Sequence, residues 1–282
     1  MIPNKPQIVY DYVYKGVNKF SDFTTSKAMK FGSAVDCLLT TNTFWDKYIV
    51  LEGKIPTPMM SVFIHTWIET GDPISAHLKS KYSSRTSTQT LLTKAENEFS
   101  EYIDSVKNNK IMINEKEFAE IQEAVTKIDE SPFRTLFTNQ DNLHQFEVIF
   151  DYRGFECRGT IDILEINHTN KTLRVVDLKT SKSIFTFESS YKEFLYYRQV
   201  SFYTYGIEQW KHTVNYSDYE VLNPAFLVVD REYPYALMYT TTEKYKGMNE
   251  VDELLDLFAW HVENNVFVNK VHYENNFIMT LS

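Results

Sequence analysis

Residues 172–181 read TLRVVDLKTS. Val175 and Val176 mark a buried strand, yet the strand leaves the core on Asp177, Leu178 and Lys179. Residues two apart on a strand share a face, so Asp177 and Lys179 project together while Leu178 points the other way. Fifteen residues before Asp177, the run GTIDIL (159–164) carries Asp162. The polar stretch 167–171 between the two runs is turn-like, so they form a hairpin with Asp162 and Asp177 nearly opposite each other. Like charges facing across two strands destabilise a sheet. A divalent cation between them removes the conflict, and hard oxygen ligands at that spacing suit Mg2+ or Mn2+. The Leu178 carbonyl supplies a further oxygen, and Lys179 is placed to orient, or help deprotonate, a water beside the ion. Such an assembly serves phosphodiester hydrolysis.

The pattern extends outward from this hairpin. HQFEVIFDY (144–152) and FECRGTIDILEI (155–166) alternate as strands do, with a tight turn at Tyr152–Gly154. Residues 143–179 therefore predict an antiparallel three-strand meander. A long helix is expected over 188–210. AFLVVD (225–230) and YALMYTTT (235–242) read as two more strands around a turn at Arg231–Pro234. A last helix over 249–263, capped by Asn249, places Val251, Leu254, Leu255, Phe258 and Val262 on one face. Upstream, Ser26 caps a helix through Met29, Phe31, Val35 and Leu39. Residues 41–89, with Pro56, Pro58 and Pro73, predict loops and short helices; 90–107 and 115–130 predict two amphipathic helices. There is no internal repeat and no linker. The expectation is one α/β domain over 1–282, with an N-terminal helical elaboration (about 1–140) and a catalytic core (about 141–245).

Composition bounds the function. Hydrophobic residues make up 43% of the chain, enough for a sizeable core. The net charge of −9 argues against a passive DNA coat, which is normally basic. Residues 171–200 reverse that balance, with six basic residues to three acids. Two cysteines, Cys37 and Cys157, rule out a disulfide framework and fit a reducing compartment. No apolar run is long enough for a membrane span, and the start MIPNKPQIVYDYVYKG has no secretory h-region, so a cytoplasmic location is expected.

An acid-x-Lys triplet by itself is commonplace; Glu52-Gly53-Lys54 also fits it. What distinguishes 177–179 is Asp162 before it and RQVSFY (198–203) about twenty residues after. There Gln199 and Tyr203, four apart, share a helical face. Arg198, Lys182 and Arg158 are expected to contact phosphate, on local charge alone.

GTIDIL, VVDLKTS and RQVSFY, in this order and spacing, resemble the PD-(D/E)XK nuclease superfamily. The Gln-x-x-x-Tyr element points to its RecB-like branch and to phage-type exonucleases of the RecE kind. FGSAVDCLLT and FWDKYIV look like that family's early helix and the segment after it, EIQEAVTKIDESPFRTLF like the helix before the meander, and AFLVVDREYPYALMY like its last two strands. The resemblance implies a restriction-endonuclease-like fold: a central mixed sheet flanked by helices, its cleft where the 162 and 177 strands meet the first helix. It makes Asp162 and Asp177 metal ligands, Lys179 the catalytic lysine, and Gln199 and Tyr203 positioning residues. It also gives Glu147 a role in placing metal or water. The chain departs at Asp36, which stands where the family carries a metal-binding His and is expected to act as a ligand in its place. A homo-oligomeric ring acting on duplex DNA ends, a partner that anneals single strands, and phage-type recombination in a host cytoplasm are implied in the same way. An endonuclease of the same superfamily, or a nuclease-fold binding module, are the alternatives.

Overall fold

The computed structural model describes residues 26–82, 85–233 and 235–266. The N-terminal stretch read for a secretory signal, and Pro234 of the expected turn, lie outside them. Chain contacts divide the molecule into two compact units, Phe31–Glu130 and the remainder.

The Phe31–Glu130 unit is mostly helical. Helix α1 (Lys27–Thr40) buries Phe31, Ala34, Val35 and Cys37, and Ser26 Oγ accepts from Met29 N at 3.2 Å, as expected of its cap. A short helix, α2 (Phe44–Lys47), leads into strand β1 (Tyr48–Leu51). Of the three prolines over the expected loops and short helices, Pro58 and Pro73 mark helix starts. Thr57 caps α3 (Pro58–Thr70) and Asp72 caps α4 (Pro73–Ser80), each with proline in the first turn, where its missing N–H costs nothing. The helix expected over 90–107 is two, α5 (Thr88–Glu98) and α6 (Ser100–Lys107). They part at Phe99, whose side chain is buried in the unit's core. Strand β2 (Ile111–Asn114) pairs in parallel with β1, a pairing the sequence did not suggest. Helix α7 (Glu115–Asp129) opens on a reciprocal capping box between Asn114 and Glu117.

The second unit is built on a mixed sheet of six strands flanked by helices. After a one-turn helix α8 (Thr135–Thr138) come β3 (Leu143–Tyr152), β4 (Phe155–Asn167) and β5 (Thr172–Ser181), the meander the alternation predicts. Arg153 and Gly154, both at positive φ (54° and 80°), make the two-residue turn between β3 and β4. The helical connection from β5 breaks at Leu195 (φ 52°), giving α9 (Phe187–Glu193) and α10 (Tyr196–Trp210) rather than one helix. A short β6 (Glu220–Val221) and then β7 (Ala225–Asp230) run parallel to β5, as a helical crossover requires. Strand β8 (Ala236–Thr240) closes the edge antiparallel to β7. The final helix, α11 (Met248–Asn264), starts after Gly247 rather than at an Asn249 cap.

Val148, Phe150, Ile161, Leu164, Leu173 and Val175 from the meander meet Ile207 of α10 and Val251 and Leu255 of α11 in one core cluster. An added Cβ at Gly206 would lie 2.6 Å from the Phe150 ring, so α10 sits as close to β3 as a bare backbone permits. This packing fixes α10 over the ends of β4 and β5, where the chemistry-bearing residues lie.

Candidate active site

Strand register does what the hairpin count predicts. Ile163 pairs with Val176, so the next residue on each strand is Asp162 on β4 and Asp177 on β5. The β4–β5 pairing stops there, and the Asp162 Oδ2 accepts a hydrogen bond from Leu178 N at 2.8 Å in place of a ladder bond. A residue's N–H and C=O leave a strand on the same side. The Leu178 carbonyl therefore also faces β4, beyond the end of the ladder. On β3, the residue opposite Asp162 is Gln145, flanked by the pairs His144–Ile163 and Phe146–Ile161. Gln145 has φ 47°, a left-handed conformation that strands rarely contain. Ile161, Leu164 and Ile166 all reach the same core cluster, so the alternation of β4 changes phase around Asp162. The sheet is thus locally irregular at the very rung that carries the first aspartate.

Asp177 is almost fully buried, with its side chain 3% exposed, and its Oδ2 forms an ion pair with Lys179 Nζ. That oxygen has no well-formed hydrogen bond. Lys179 Nζ also sits 4.8 Å from the centre of the Tyr196 ring. Burial pulls the Lys179 pKa down, but the Asp177 carboxylate and, more weakly, Asp162 hold it above the ordinary lysine value. The group is an ammonium wedged between a carboxylate and an aromatic face.

Helix α10 covers this cluster. Gln199 Nε2 donates to Tyr203 Oη at 3.2 Å. Burial first, and then the charges of Asp177 and Asp162, push the Tyr203 phenol up, against the opposing hydrogen bond from Gln199. The ring lies directly over Gly159, where an added Cβ would be 2.5 Å from Tyr203 Cε1. Tyr196, Gln199 and Tyr203 fall at i, i+3 and i+7, one helical face. Tyr196 was not among the expected site residues. Its helical spacing was the available signal, but contact with Lys179 needs the tertiary fold.

Beside this face lies a pocket of about 160 Å³, lined by Arg158, Arg198, Gln199 and Tyr203, with Phe202 and Leu254 as apolar walls. Arg198 Nε is buried without a hydrogen-bond partner among the described residues. Glu147 on β3 is exposed, with Oε2 3.8 Å from Arg158 Nη1. Lys182, just past β5, is exposed and 3.7 Å from Glu232. Asp36 belongs to the Phe31–Glu130 unit, on α1. Its carbonyl and Oδ1 accept from Thr40 Oγ1 at 2.7 and 3.3 Å.

A divalent ion fits the donors on chemical grounds: two carboxylates and a carbonyl, all hard oxygens, with a buried Asp177 oxygen lacking a good hydrogen bond. Among the described residues no group of three or more His, Cys, Asp or Glu side chains converges to hold a metal.

The chain matches, over residues 13–267, the model of a family described as a PDDEXK-like domain of unknown function (DUF3799). It belongs to that family. No curated protein matches the chain. A crystal structure of a presumed exonuclease from Eubacterium rectale is similar at 12% identity, with a TM-score of 0.36, over 83% of this chain and 84% of that one. That likeness is too loose to bear on activity. In this PDDEXK-like protein the β4–β5 ladder ends with Asp162 on one strand and Asp177, Leu178 and Lys179 on the other.

Proposed function

We propose that this PDDEXK-like protein is a divalent-metal-dependent deoxyribonuclease that hydrolyses phosphodiester bonds from duplex DNA ends. The observation that carries the reading is the meeting of Asp162, Asp177 and Lys179 at the point where the β4–β5 ladder ends. Asp162, Asp177 and the Leu178 carbonyl would hold Mg2+ or Mn2+. When bound, such an ion acidifies water and neutralises charge on the phosphate. The chain's own residues do the rest. Lys179 donates from its ammonium to the attacking water or to a phosphate oxygen. Gln199 and Tyr203 fix the roof of the site from α10. Arg198 and Arg158 line a pocket suited to the phosphate backbone. Lys182 extends the basic side of the site along the chain. Glu147, beside Arg158, positions water or metal from the first meander strand.

Support for an exonuclease, in a RecE-like branch, comes from the order and spacing of GTIDIL, VVDLKTS and RQVSFY. The same resemblance supports a homo-oligomer, a single-strand annealing partner, phage-type recombination in the cytoplasm, and one nuclease domain spanning both units. None of the described helices is long and apolar enough to cross a membrane.

The test is release of nucleotides from end-labelled duplexes in Mg2+ or Mn2+, labelled at the 5′ or the 3′ terminus, beside covalently closed circular DNA. Removing a metal-holding carboxylate costs several kcal/mol of transition-state stabilisation, so Asp177→Asn should slow cleavage roughly a thousandfold. Gln199→Ala should slow it less, because it removes positioning and leaves the carboxylates. Cleavage by Asp177→Asn at the wild-type rate refutes the site; cutting of the circle makes the protein an endonuclease.

A further inference from the structure

Most of the described aromatic residues are buried or half-buried; besides Trp45, Phe194 and Tyr245, three exposed rings cluster at one end of the second unit's sheet. Phe185 is 75% exposed, Tyr233 43% and Tyr235 50%. They touch one another: the Phe185 and Tyr233 rings meet edge to face at 5.6 Å, and Tyr233 and Tyr235 lie nearly parallel, 6.4 Å apart at 11°. We propose that these three rings, with Lys182, form a stacking platform for a single strand of DNA. That occupant rests on the nuclease reading; the platform itself does not.

The rings are held rather than loose. The last β5–β7 pair is Ser181 with Asp230, and the rings follow on from both strand ends. Buried Asp230 accepts from Ile184 N at 2.6 Å, Glu232 N at 2.7 Å and Tyr233 N at 2.8 Å, which ties both segments to one carboxylate. Asp230 N donates to Tyr235 O at 3.0 Å, and Tyr239 Oη to Ile184 O at 3.0 Å. Exposed rings on a backbone fixed in this way lose little freedom when a ligand covers them.

Charge selects the occupant. Lys182, with its side chain 85% exposed, is held only by a surface ion pair to Glu232 at 3.7 Å, worth little and easily exchanged for phosphate. Aromatic faces beside a mobile cation are what sequence-tolerant single-strand binders use, since every base has a face to stack. A duplex hides those faces. The distance is also apt. Ser181 lies four residues along β5 from Asp177, roughly 13 Å at strand rise. A strand separated at the cleavage site would reach the rings beyond that strand end.

The experiment uses the full chain in EDTA, so that nothing is cut, titrated with fluorescein-labelled oligo(dT). The wild type should bind, and the triple variant F185A/Y233A/Y235A should bind at least tenfold more weakly with an unchanged thermal melt. Lys182→Ala should weaken binding and flatten its salt dependence by about 0.7 in the log–log slope. Equal binding by the triple variant and the wild type, or no binding by the wild type, overturns the proposal. So does a triple variant that changes oligomeric state in light scattering with binding intact, since the rings then seat a second copy. Cleavage of labelled duplex in Mn2+ by wild type and triple variant is the separate readout. If the wild type cuts nothing yet the triple variant loses oligo(dT), the nuclease reading fails and the platform stands.

Discussion

At the scale of single residues, Gly159 carries a demand set by the site. A glycine inside a strand weakens the strand unless something approaches closely, and here the Tyr203 ring occupies the space of the missing Cβ, 2.5 Å from where it would be. Tyr203 has no slack: it is half-buried, hydrogen-bonded to Gln199, and flanked by the two aspartate charges. Gly159→Ala must push the ring away from the carboxylates. The expected cost is about 1–3 kcal/mol, typical of overpacking, measured by urea denaturation, with a fall in cleavage beside it. A double-mutant cycle isolates the cause. With Tyr203→Ala already in place, the clash is gone, and Gly159→Ala should cost much less. Equal costs in the two backgrounds would show that the glycine serves the backbone of β4 and not the ring.

At the scale of elements, strand β5 joins the site to everything after it, and Asp230 on β7 locks that junction. Its Oδ1 accepts from two backbone N–H groups and its Oδ2 from a third. Asp230→Asn keeps one oxygen but turns an NH2 donor toward at least one backbone donor. Leaving a buried donor unsatisfied costs about 1–3 kcal/mol, so the variant should lose that much stability in urea. It should also lose order in the 182–186 and 231–233 segments, visible as faster amide exchange there. The same elements show what the sequence made legible. The meander was readable because period-two alternation and turn residues are local, and counting across the turn put Asp162 opposite Asp177. Strands β1 and β2 were not, because four residues carry no periodicity. Pro58 and Pro73 read as breakers because proline permits a helix start as readily as it forbids a helix interior. The break at Leu195 has no glycine or proline to announce it. Tyr196 joined the site only through a ring contact across two elements, and Gln145 only through a backbone angle.

At the scale of the whole molecule, tyrosine is a recurring core filler, with 19 in the chain. A phenol in water is neutral up to about pH 10, and burial extends that range upward because the phenolate loses its hydration. In the Phe31–Glu130 unit, burial pushes Tyr48 up to about 12, helped by Cys37 and by Asp36. In the other unit, burial pushes Tyr152 up to about 12, aided by its hydrogen bond to Asp252 at 2.8 Å. That aspartate is itself clamped by Arg153, so the group fastens the β3–β4 turn to α11. Unfolding returns both phenols to an ordinary value of about 10. Between about pH 10 and 12 the unfolded chain has released protons that the folded chain still holds, so rising pH favours unfolding. The stabilisation is complete below about pH 10 and drains away as pH climbs toward 12. Circular-dichroism melts from pH 8 to 11.5 should show a level melting temperature up to about 10 and a steepening fall above it. Tyr152→Phe loses the bond to Asp252 and should start lower at pH 8, but it removes one of the titrating phenols. Its melting temperature should therefore fall less steeply than the wild type's above pH 10, and the two curves should approach each other. Parallel curves across that range would mean that Tyr152 titrates alike in both states, and that its burial does not hold the proton.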